Sequence, residues 1–156
     1  MWLFYENLTQ RSRITIKAIQ PFLSAHKKIL DIGCGNGVVS HEIKKYFNCN
    51  ITGTDVIDYL KVSIDFKKMS REDKLDFNDK EFDIGLFSVV LHHIPFDIQI
   101  RLIKEALRAC SEVLIFEEAP TFIAKVIDCV TNKINSPKVR IVLTHRDKDG
   151  WLKLFK

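Results

Sequence analysis

The sequence predicts an α/β fold, a doubly wound parallel sheet of order 3-2-1-4-5 with helices on both faces, on three observations. Short, largely apolar runs at residues 29–32, 82–93 and 112–118 have the length of strands and little polar alternation, as strands buried on both faces do, and ITGTD at 51–55 follows a turn as a further strand. Segments with apolar residues at helical spacing separate them, and right-handed crossovers then set the strand order. Finally, the first run breaks abruptly into Gly33, Gly35 and Gly37, interleaved with Cys34 and Asn36, before a helical pattern at Val38, Val39, Ile43, Tyr46 and Phe47. A glycine turn between a strand's carboxyl end and a helix N-terminus is a ligand-binding turn, because the backbone can take left-handed conformations and no Cβ stands in the way.

Before the sheet, residues 1–25 carry Trp2, Leu3, Phe4, Tyr5, Leu8, Ile14, Ile16, Ile19 and Phe22 among polar residues, an amphipathic helix or two ending near Pro21. After the glycine helix, ITGTD forms a second strand that ends on Asp55, 22 positions beyond Gly33. That is close to the roughly 20-residue offset at which an acid takes a ribose in nucleotide-binding α/β folds. The alternation of Val62, Ile64 and Phe66 predicts a third strand, with a vestigial helix or a loop at 57–61. Phe82 to His93 reads as a long central strand emerging at the carboxyl edge of the sheet. Pro95 and Asp97 open a helix striped by Ile98, Leu102, Ile103, Ala106 and Leu107, and EVLIFEE is strand five, ending in Glu117 and Glu118. Residues 122–130 and 145–156 have helical patterns.

With 156 residues, 46% hydrophobic and 28% charged, the chain is expected to form one domain over 1–156: a helical cover at 1–25, a binding core at 27–118 and a C-terminal helical segment at 119–156. No apolar run approaches the roughly 18 residues of a membrane span, and Glu6, Arg11 and Arg13 do not suit a secretory leader, so a cytoplasmic protein is expected. Cys34, Cys49, Cys110 and Cys129 form no C-x-x-C pair, which suggests neither a zinc site nor a disulfide framework. Residues 121–156 hold eight basic residues against three aspartates, and the rest hold 16 against 17 acidic ones. Such an end can face an anionic partner or water. The strand reading of the adjacent His92 and His93 puts their side chains on opposite faces, which argues against a shared metal ion.

Two adenosine ligands suit such a turn, and spacing separates them. In the dinucleotide fingerprint the third glycine would fall at Val38; here it comes one residue early, at Gly37. Asp31, two residues before the first glycine, does little for a pyrophosphate and suits a cationic ligand. ILDIGCGNG resembles the first motif of the class I S-adenosylmethionine-dependent methyltransferases, in the small-molecule branch called type 11, whose domain is Rossmann-like. The resemblance covers about residues 30–118. It implies a cofactor site at Asp31, Gly33, Cys34, Gly35, Asn36, Gly37, Asp55, Val56, Met69, Ser70 and Ser88, with Tyr5 on the covering helix, where plain packing explains Tyr5 equally well. Ser70 stands where the family usually has an acid facing adenine, with Glu72 and Asp73 nearby.

SVVLHHIP resembles the family's fourth motif, which makes His93 the histidine expected to border the substrate, unless one histidine is simply packed and the other solvated. His93 and Glu117 are the candidate general bases, the latter alternatively a solvated strand-end acid. The implied reaction is in-line methyl transfer to a small-molecule acceptor, with S-adenosylhomocysteine as product. A non-catalytic binding domain is an alternative. An RNA methyltransferase is another, but SVVLHH stands where a base-amine motif of the Asp/Asn-Pro-Pro-Tyr type would be. The family's last two strands have no counterpart, so the edge of strand five is expected to be covered by residues 119–156 or by a second subunit.

Overall fold

The computed structural model describes residues 2–117 and 144–154, with side chains of the first helix described at residue 10 and from residue 12 onward. One sheet of five parallel strands has the order β3-β2-β1-β4-β5, with β1 at Lys28–Ile32, β2 at Asn50–Asp55, β3 at Asp65–Lys68, β4 at Phe82–Ser88 and β5 at Cys110–Phe116. This is the order expected. All of β1 beyond Lys28 is buried, as a strand with neighbours on both sides and helices on both faces must be.

Helices α1 (Trp2–Ile19) and α2 (Val38–Phe47) pack on one face, where Ile16, Ile19 and Ile43 meet Ile29, Ile51, Ile84 and Leu86. On the other face α3 (Phe96–Ala109) lays Leu102, Ile103, Ala106 and Ala109 against Leu30, Ile32, Phe82 and Phe87, and Trp151 and Leu154 of the short α4 (Lys148–Leu154) join that layer. A 3-10 turn holding Pro21 follows α1. Asn48 ends α2 in the left-handed conformation one residue after Lys44 and Lys45 complete a last turn suited to cations.

Two strands differ from expectation. The third is only four residues long, because the chain over 56–64 forms no helix and instead packs Leu60, Val62 and Ile64 around Gly37, where an added Cβ would lie 2.8 Å from Leu60 Cδ2. The fourth ends at Ser88, not at His93. Val89 still donates its N–H to the Phe116 carbonyl at 2.8 Å, the last rung of the ladder beside the Ser88–Phe116 pair, and its φ of 56° then turns the chain out of the sheet into a 3-10 turn over Leu91–His93. The predicted helix at 122–130 and most of the segment expected to cover β5 lie outside the described residues. No helix among the described residues is long and apolar enough to cross a membrane.

Candidate active site

The glycine turn is built by hydrogen bonds to β2. Gly33 and Cys34 both donate to the Thr54 carbonyl, at 2.8 and 3.2 Å, and Gly35 N–H donates to Asp55 Oδ2 at 2.9 Å. Gly37 N–H closes the turn on the Cys34 carbonyl, and Asn36 Oδ1 accepts from Val38 N–H at 3.1 Å in an Asx turn that leads into α2, whose N-cap is Gly37. Gly33 (φ 76°) and Gly37 (φ 78°) occupy the left-handed region, and a Cβ at Gly33 would lie 2.3 Å from Val90 Cγ2. The amides at 33–35 are therefore spoken for, so this part of the turn has no donors to spare for a ligand.

Two acids flank the turn. Asp31 is buried; its Oδ2 accepts from Ser40 Oγ of α2, while Oδ1 is buried without a partner. Burial pushes its carboxyl up to about 6, against the smaller opposing effect of the Ser40 bond. Asp55, at the end of β2, is also pushed up by burial, partly offset by the Gly35 and Ile57 amides. Burial most of all, then the nearby Asp31 and Asp55 carboxylates, holds the Cys34 thiol well above its usual range, so Cys34 packs as a neutral thiol.

Other predicted positions spread around this edge. Val56 is exposed; Met69 is buried in the layer beneath α3, with its N–H on the Asp55 carbonyl; and Ser70 is exposed, its N–H donating to Asp76 Oδ2 at 3.2 Å. Ser88 Oγ lies 3.4 Å from Thr15 Oγ1, a buried hydroxyl of α1. The side chain of Tyr5 lies outside the described residues.

The histidine pair is arranged differently from a strand. The rings of His92 and His93 sit 3.9 Å apart, so the opposite-face argument against a shared ion does not apply; no metal-holding group of His, Cys, Asp and Glu occurs among the described residues. His92 is not the solvated member: it is buried, stacks on His145 at 4.5 Å and places Nδ1 2.5 Å from Glu117 Oε2. His93 is half-buried. Glu117 Oε1 accepts from Val90 and Leu91 N–H at 2.9 and 2.7 Å, so its carboxylate is engaged rather than solvated, and Glu118 lies outside the described residues. Sequence reasoning missed Ser40, Val90, Tyr59, whose ring approaches Gly35, and the buried Gln99, which looks like an interruption of the α3 stripe.

A family model described as a methyltransferase domain matches residues 30–115, more than half of the chain. The chain belongs to the methyltransferase domain family. S-adenosylmethionine is the cofactor this membership implies. Among curated relatives, this methyltransferase chain is 26% identical over 140 residues to a ribosomal protein L11 methyltransferase of Dictyoglomus thermophilum, covering 87% of this chain and 46% of that protein. It is 31% identical over 94 residues to a ubiquinone biosynthesis O-methyltransferase of Hydrogenovibrio crunogenus, covering 53% and 39%. The chain thus spans less than half the length of these two relatives. A solved SAM-dependent methyltransferase from Archaeoglobus fulgidus superposes with a TM-score of 0.70 at 17% identity, covering 99% of this chain and 71% of that one, a likeness of fold.

The residues fit that cofactor. The buried Asp31 Oδ1, which accepts no hydrogen bond, is an acceptor suited to a cationic donor such as the ammonium of S-adenosylmethionine.

Proposed function

We propose that this chain transfers a methyl group from S-adenosylmethionine to a small-molecule acceptor at the carboxyl edge of β1, β2 and β4. The observation that carries the reading is Asp31, a buried acid with one free oxygen beside a glycine turn whose amides at 33–35 are already bonded. When bound, S-adenosylmethionine supplies an electrophilic methyl group. The chain's own task is then to bind and align: Asp31 holds the ammonium, Asp55 takes the ribose hydroxyls with the lone pairs that Gly35 leaves free, and Val56 borders the adenine. The turn after β4 brings His93 to the acceptor side. Alignment of two reactants can supply roughly 7–11 kcal/mol, so no dedicated acid or base is required of the protein. Where the acceptor must first lose a proton, His93 is the candidate base; Glu117, already accepting three hydrogen bonds, is poorly placed to serve as one.

A small acceptor is favoured by the resemblance to the type 11 branch and by the absence of a base-amine motif at SVVLHH, while the relative named as a ribosomal protein L11 methyltransferase makes a protein acceptor the competing class. The test offers methyl-labelled cofactor with separate pools of small phenols, amines and thiols, of peptides, and of RNA. Label in a small molecule supports the proposal; label in peptide or RNA alone reassigns the acceptor, and cofactor binding with no transfer to any pool makes the chain a binding domain.

A further inference from the structure

We propose that Glu117 is a positioning residue: its carboxylate fixes the turn after β4, and through that turn it seats Val90 and His93 at the cofactor cleft. This rests on the cofactor reading above. Four observations on different elements support it. Val89 is a β-branched residue at φ 56°, a conformation such residues rarely adopt unless their surroundings impose it. The Phe116 carbonyl takes Val89 N–H as the last rung of the sheet, and immediately beyond it Glu117 takes Val90 N–H, Leu91 N–H and His92 Nδ1, holding the chain on its turned course. A side chain of Glu117 that is only 7% exposed, against a His92 that is 1% exposed, gives these charge-assisted bonds little competition from water.

From the other side, the carbonyls of Leu91 and Ile94 accept from Gln99 Nε2, and that of His92 accepts from Thr144 N–H. With amides and carbonyls held by different elements, the turn is braced from both sides, and Val90 closes over Gly33. Glu117 thus acts on the cleft through Val90 rather than by touching the cofactor. The carboxylate also selects the His92 tautomer with the proton on Nδ1.

The test uses the whole chain as wild type, Glu117→Gln and Glu117→Ala. Three quantities are read: S-adenosylmethionine affinity by calorimetry, amide exchange at Val90 and Leu91 without cofactor, and the His92 Nδ1 proton by nitrogen-edited NMR. Glu117→Ala should bind cofactor at least tenfold more weakly, lose protection at those two amides and lose the Nδ1 signal. Glu117→Gln retains an acceptor for the amides and should fall between, and it serves alone if the alanine variant does not fold. Wild-type affinity with protected amides in the variants overturns the role of Glu117 by itself. Failure of the folded wild-type chain to bind cofactor overturns the cofactor reading, and this role with it.

Discussion

Replacing Asp31 by asparagine should stabilise the fold at neutral pH while weakening its hold on S-adenosylmethionine. The Asp31 carboxyl is raised from 3.8 to about 6, chiefly by burial. Between those two values the native state keeps a proton that the unfolded chain releases, so stability is full below the lower value and falls as pH rises through the window. By neutral pH the deficit is about 3 kcal/mol. Asparagine removes it, retains an acceptor for Ser40, and gives back about 1 kcal/mol through a buried N–H where Oδ1 has no partner now. The net gain of about 2 kcal/mol should raise the melting temperature by roughly 4–8 °C near pH 7, and the two stability curves should cross at about pH 4.5, below which wild type is the more stable. Cofactor affinity should fall roughly 10- to 100-fold, the worth of one charge-assisted hydrogen bond. In the wild type, affinity should rise about tenfold from pH 5 to pH 7, as the fraction of free protein already ionised at Asp31 grows. Thermal melts at several pH values and calorimetric titration read all of this. An asparagine variant less stable than wild type at pH 7, or one with undiminished affinity, would refute the reasoning.

Further substitutions separate architecture from binding. Gly33→Ala should destabilise by about 2–4 kcal/mol in denaturant melts, since the new Cβ meets Val90 Cγ2 at 2.3 Å in a left-handed backbone. Gly37→Ala should cost about 1–3 kcal/mol, because Leu60, Val62 and Ile64 are side chains that can give way. Asp55→Asn, with an oxygen still available to Gly35 N–H, should melt within a few degrees of wild type yet bind cofactor at least tenfold more weakly by calorimetry. Gln99→Leu should lower stability by about 2 kcal/mol in the same melts, as the Gln99 amide's bonds to the Leu91 and Ile94 carbonyls and to Thr144 Oγ1 are lost, although each carbonyl keeps a second donor, Ile94 N–H and Thr144 Oγ1 respectively.

The sheet order and the glycine turn were legible because buried parallel strands are written as continuous apolar runs and because only glycine suits the left-handed backbone at 33 and 37. Asp55 was legible from its offset. What the sequence hid is tertiary. Val89 is a good strand former, yet it leaves β4 at φ 56°, where the distant Glu117 takes the next two amides. Ile64 fits a strand alternation but packs against Gly37 and Gly53 instead, which shortens β3. The pairing of Asp31 with Ser40, and that of Glu117 with His92 across 25 positions, follow no local pattern. Gln99 sits in an apolar stripe, and nothing in its neighbours announces three hydrogen bonds to the turn and to Thr144.

The most direct test of the central claim, that the edge of β1, β2 and β4 holds S-adenosylmethionine, is calorimetric titration of the purified chain with that cofactor and with S-adenosylhomocysteine, beside Asp55→Ala. Micromolar binding to the wild type, abolished or strongly weakened in a variant that still folds, is the predicted result. No binding by a folded, monodisperse wild type, or equal binding by both proteins, would contradict it.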